Sequence, residues 1–212
     1  MSELTDVRVF RHHLIGSGYV LDREGFHSEF VDGMHGQKLD FDNIDEAIDP
    51  LYGEWIDVNQ DFIEQAYHPL PEIIIGVANG ANRVALDTAR RFNGEVIGLT
   101  SVKEPENSKI IYLSRLAKRA ITKIVPRLVV VIEDVSTTGS SSVQVAIAAR
   151  DAGAKKVEVL TTWKRRERLE HLDEAEIPYN AIIDEPMPTY TPKECQELGF
   201  CALQWQLNEY IK

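Results

Sequence analysis

Residues 127–142 read RLVVVIEDVSTTGSSS and divide into three physical parts. Leu128–Ile132 is an unbroken, mostly β-branched apolar run, too short to cross a membrane and suited to a strand buried on both faces. Glu133 and Asp134 follow at once, so two carboxylates stand at the carboxyl end of that strand, the edge where open α/β sheets bind ligands. Ser136, Thr137, Thr138, Gly139, Ser140 and Ser141 then lead into a helical pattern over 143–151. A turn of small and hydroxyl residues before a helix presents backbone N–H groups and hydroxyls to a single phosphate. Acids beside such a cradle suit a sugar phosphate, the carboxylates accepting from ribose hydroxyls while the turn grips the phosphate.

Upstream, residues 72–81 read EIIIGVANGA. Ile73–Ile75 predicts another buried strand, and the small residues after it let a ligand approach the backbone before a helix over 84–92. Further strands are predicted over 95–101, 157–163 and 179–183, with a short one at 110–112. Between them lie a basic amphipathic helix over 113–125 that Pro126 ends, a helix closed by Gly153, and a short helix over 169–175. This alternation argues a doubly wound, mostly parallel sheet of about five strands. Before it come a helical pattern over 4–15 stopped at Gly16-Ser17-Gly18, two strand-like pieces around Glu24-Gly25, and helical stretches on either side of Pro50. One domain over 1–212 is expected: helices and a hood over 1–70, an α/β core over 71–185 and an extended tail over 186–212.

The composition is that of a globular protein, 43% hydrophobic and 27% charged. Acids outnumber bases 34 to 23 for a net charge of −11, which argues against a nucleic-acid surface, since phosphate backbones are held by clustered Lys and Arg. A small anion needs only local donors. Two cysteines, Cys195 and Cys201, make no disulfide framework, no run approaches a membrane span, and the first residues lack the apolar core of a signal peptide. A soluble protein of the reducing cytoplasm is expected, with no membrane partner.

The apolar strand, the two acids and the Thr-Thr-Gly turn resemble the phosphoribosyl pyrophosphate (PRPP) signature of the type I phosphoribosyltransferases. The Gly76–Ala81 turn is similar to that family's pyrophosphate loop. Residues 18–32, through Gly25, His27, Ser28 and Phe30, look like the hood of its orotate enzymes. The resemblance implies transfer of the ribosyl 5-phosphate of PRPP to a pyrimidine-like base, orotate favoured, with pyrophosphate released. It implies Glu133, Asp134 and Lys103 as catalytic residues and Ser136–Ser141 around PRPP. Ala78, Asn79, Gly80 and Ala81 would receive pyrophosphate, with an unusual peptide bond expected at Ala78–Asn79 or Asn79–Gly80. Phe30, Thr137 and Arg165, the last preferred over Arg166, would meet the base, an arginine suiting a carboxylate-bearing one. The implied cofactor is Mg²⁺ held mainly by ligand oxygens, and the implied assembly is a homodimer whose mobile, cationic loop closes over pyrophosphate, commonly that of the neighbouring subunit.

The chain departs from that pattern in two places. Val31 and Asp32 stand where consecutive aromatics often sandwich the pyrimidine, and Glu106 and Ser108 stand where the loop carries Lys and His, leaving Lys103 and Lys109. Two other readings share the ligand: a PRPP-binding regulator without transferase chemistry, and a transferase for a purine or other base. The Cys195/Cys201 spacing lacks the further cysteines of a zinc site.

Overall fold

A computed structural model describes residues 6–17, 27–29, 35–37, 41, 44, 49–107 and 109–199. At its centre is a six-stranded sheet built from β3 (Ile73–Gly76), β4 (Ile97–Lys103), β5 (Ile111–Leu113), β6 (Val129–Ser136), β7 (Val157–Lys164) and β8 (Tyr179–Asp184). Their order is β5-β4-β3-β6-β7-β8, parallel throughout except at the β4–β5 edge hairpin. That hairpin takes the sheet beyond the five strands expected, and the edge position explains why only three residues form β5.

The β-branched runs behave as buried parallel strands should. Ile73 and Ile75 of β3 and Val129 and Val131 of β6 face one core, while Ile74, Val130 and Ile132 face the other. The first core packs α4 (Arg115–Ile124) and α5 (Ser140–Asp151); the second packs α2 (Pro50–Ala66) and α3 (Gly80–Arg91). Pro50 opens α2, with the Asp49 side chain accepting from Leu51 N–H at 2.9 Å, so the break read there is a helix start. Trp55 of α2 anchors that layer, fully buried with its indole N–H donating to Thr162 Oγ1 at 2.7 Å.

Helix α1 (Val7–Gly16), capped by Asp6, packs on α2 and β8, and Arg11 pairs with Glu185 just beyond β8. A small antiparallel sheet joins β1 (His27–Glu29), β2 (His35–Gln37) and β9 (Thr189–Tyr190). Of the two strand-like pieces expected around Glu24-Gly25, the first and the turn lie outside the described residues; β1, from the second, pairs with β2. The tail read as extended contributes β9 and then α7 (Pro192–Glu197), whose Thr191/Glu194 capping box starts it. Among the described residues no helix is long and apolar enough to cross a membrane.

Candidate active site

Because β4, β3, β6 and β7 run parallel, their carboxyl ends share one edge of the sheet. The chain moves from β3 outward to β4 and β5, then returns to place β6 against the other side of β3. Ligands bind outside the carboxyl ends at such a reversal, where the helices following the two strands leave toward opposite faces. Here those helices are α3 and α5, in the two different cores. The turn after β3 and the acid pair ending β6 flank this crevice, Gly76 pairing with Ile132 one residue before Glu133.

On the β6 side, Glu133 is buried while Asp134 is half-buried and accepts from Val135 N–H at 2.8 Å. Burial, then the neighbouring Asp134 charge and hydrogen bond, holds the Glu133 carboxyl well above the ordinary glutamate range. The Lys103 charge and a hydrogen bond from Ser142 pull the other way, so Lys103, the last residue of β4, is electrostatically part of this site. The adjacent Asp134 carboxylate thus adds to burial in opposing ionisation of Glu133. Gly139 caps α5 at φ 78°, and a Cβ there would lie 2.8 Å from Leu172 Cγ, so both backbone and space require glycine. His171 N–H donates to Thr138 O at 3.1 Å, fixing the turn against α6 (Glu170–Glu174). The first amides of α5 lack partners within the helix, as at any helix start, and no side-chain cap takes them up.

On the β3 side, Ala78–Asn79 is a cis peptide bond, at the first of the two positions expected. Ser101 of β4 braces this turn. It is fully buried, its Oγ accepting from Ala78 N–H and donating to Gly76 O, both at 2.8 Å. Asn82 completes the brace, its amide oxygen accepting from Ser101 N–H at 3.1 Å and its Nδ2 donating to Ser101 O at 3.0 Å. A Cβ on Gly76 would stand 2.3 Å from Asn82 Cα, so the strand and helix meet at glycine contact. Asn79 stays exposed at the top of the turn.

At the end of β7, Arg165 is buried, its N–H donating to Ser136 O at 2.9 Å, while Arg166 is half-buried. Lys164 is buried too, paired with Asp184 at 2.8 Å. Phe30 lies outside the described residues. The fold therefore gathers Glu133, Asp134, Ser136–Ser141, Ala78–Ala81, Lys103 and Arg165 along one edge. Lys103 sits on a strand rather than in a loop, and residues 104–110 form a hairpin turn, Glu104 N–H donating to Ile110 O at 2.9 Å.

This arrangement is similar to solved phosphoribosyltransferase structures. Orotate phosphoribosyltransferase from Aeropyrum pernix aligns with a TM-score of 0.59 at 19% identity, over 90% of this chain and 99% of that one. The Mycobacterium tuberculosis orotate enzyme aligns at 0.55 and 17%, over 82% and 95%. Adenine phosphoribosyltransferase from Saccharomyces cerevisiae aligns at 0.57 and 12%, over 83% and 99%. The chain has the type I phosphoribosyltransferase fold. Its sequence matches no protein-family model and no curated protein.

Within that fold, sequence reading passed over Ser101, Asn82 and Gln144. The first two look like ordinary strand and helix residues, and only the parallel β3–β4 register brings them together.

Proposed function

We propose that the protein transfers the ribosyl 5-phosphate of PRPP to a nitrogen of a pyrimidine-like base, orotate favoured, releasing pyrophosphate. One observation carries this reading: a small-residue turn and an acid pair with a hydroxyl-rich helix start lie on either side of a single crevice. A ligand with phosphates at both ends and a diol between them matches all three features. The adenine enzyme of similar fold was solved with adenine and a bisphosphate-bearing compound, which supports this ligand class.

In the proposed reaction the anomeric C–O bond breaks, positive charge grows on the ribose and negative charge on the departing pyrophosphate. Glu133 and Asp134 hold the ribose hydroxyls and stabilise the cationic sugar. Thr137–Ser141, with Ser136 behind them, fix the 5′-phosphate. Ala78–Ala81 present backbone to the pyrophosphate, and Lys103 neutralises it. Arg165 and Thr137 face the base, together with Phe30 of the hood. The donor set is all oxygen, which suits Mg²⁺ bound chiefly through ligand oxygens, where it would neutralise the pyrophosphate charge. A homodimer of a cytoplasmic protein completes the proposal. Supporting the dimer, Val102 and Tyr112 lie opposite each other on β4 and β5, both exposed, with Leu116 exposed in the first turn of α4.

A second acceptor class has its own support: the adenine enzyme aligns about as well as the orotate enzymes. The test is pyrophosphate release from PRPP and Mg²⁺ against free bases. Release with orotate is the expected result; release only with a purine reassigns the base, and release with none overturns the transferase reading.

A further inference from the structure

Gln144, one turn into α5, engages both polar atoms of its side-chain amide. Its Oε1 accepts from Ile111 N–H at 3.0 Å, and its Nε2 donates to Lys109 O at 3.1 Å and to Ser140 O at 3.0 Å. We infer that Gln144 is a positioning residue, holding the β4–β5 hairpin, and with it Lys103, against the phosphate-binding start of α5 in the same chain. The inference rests on the transferase reading for its chemistry, though not for its geometry.

The register carries the argument. Ile111 is the strand partner of Lys103, so the amide that Gln144 grips lies directly across from the lysine. As β5 is the edge strand, the Ile111 N–H points away from β4, and Gln144 supplies the acceptor that a further strand would otherwise provide. At the far end of the same side chain, Ser140 belongs to the hydroxyl turn after the acid pair. One glutamine thus ties the hairpin that carries Lys103 to the cradle for the 5′-phosphate. The hairpin is also closed on itself, Ile110 N–H donating to Asn107 O at 2.9 Å and Lys109 N–H to Asn107 Oδ1 at 3.1 Å. Gln144 and the hairpin groups it binds belong to one chain, so the strap keeps Lys103 beside that chain's own crevice.

Only glutamine fits this role at this length. Glutamate keeps the acceptor for Ile111 but sets a negative charge against two carbonyls, and leucine loses all three bonds. Gln144→Leu is expected to lower kcat about tenfold with the KM for the base unchanged, a misplaced lysine slowing pyrophosphate departure without touching base binding. Gln144→Glu falls between. If Gln144 acts through Lys103, Gln144→Leu adds nothing to Lys103→Ala, whereas independent effects multiply.

The experiment has three arms. Amide hydrogen exchange should speed at Ile111 in Gln144→Leu while the β6 amides stay protected; unchanged exchange at Ile111 overturns the strap whatever turnover shows. The kcat cycle with Lys103→Ala should be non-additive, and additive losses overturn the action through Lys103. Mixed Lys103→Ala and Asp134→Asn protomers should release no more pyrophosphate than either alone, while recovery toward about a quarter of wild type, the level of a randomly paired two-fold dimer, places the lysine across the interface. A wild type inactive on every base sinks the transferase reading alone, and the exchange arm still decides the strap.

Discussion

Glu133 is a carboxyl held almost out of water at the end of β6. Its carboxyl titrates above the ordinary range because burial and the Asp134 charge oppose ionisation. The folded state therefore holds a proton that the unfolded chain gives up, and the sign follows: this group costs stability as pH rises from the ordinary glutamate value toward its raised one. Glu133→Gln keeps the shape and removes the titration. The variant is expected to melt higher than wild type near neutral pH, with a flatter stability–pH profile and turnover lost. Thermal melting between about pH 5 and pH 8 checks this, and a wild-type profile that rises across the window contradicts it. Asp134→Asn should leave melting near wild type and cut pyrophosphate release by about 100-fold or more, as loss of charge stabilisation at the sugar demands. At Gly139, alanine must hold φ 78° and meet Leu172, so Gly139→Ala should cost about 1–3 kcal/mol and weaken phosphate binding, read by calorimetry. The stretch itself was legible beforehand, because strand, acid pair and turn are contiguous in sequence, whereas the burial of Glu133 and the contact of Gly139 with Leu172 depend on the packing around them.

Elements succeed or fail to be legible according to whether their partners are local. β3, β6 and β7 announce themselves as β-branched runs buried on both faces, and β4 was found with its end two residues short. The turn at Gly76–Ala81 was readable, but its support was not, because Ser101 and Asn82 reach it only through the register of two parallel strands. Ser101→Ala should test that support. It strands the buried Ala78 N–H and costs about 1–3 kcal/mol. It should also weaken inhibition by product pyrophosphate more than it changes the KM for the base; equal changes in both would show a general loss of fold instead. The segment from Val102 onward illustrates the opposite error. Its polar composition read as a loop, yet Val102 and Lys103 belong to β4 and pair with Tyr112 and Ile111 of the short strand expected over 110–112, a pairing with no signal in local composition.

At the scale of the whole molecule, one topological reversal turns separate motifs into a site. Neither the acid pair nor the small-residue turn specifies a ligand alone, and sequence order leaves them far apart. The return of β6 to the flank of β3 sets them side by side, and the parallel sheet aligns their carboxyl ends. The reach of the tail is also a whole-molecule effect: β9 completes the small sheet with β2, a long-range pairing with no local signature. The net charge of −11 is compatible with the proposed anionic substrate, because a phosphate at this edge would be met by backbone amides and hydroxyls and needs no broad basic surface. All of this depends on one ligand spanning both sides of the reversal. The direct measurement is a crystal structure of the protein with PRPP and Mg²⁺. The account expects the diphosphate against Ala78–Ala81, the 5′-phosphate within Thr137–Ser141 and the ribose diol on Glu133 and Asp134. A ribose turned away from both acids, or a Thr137–Ser141 turn empty of phosphate, would contradict it.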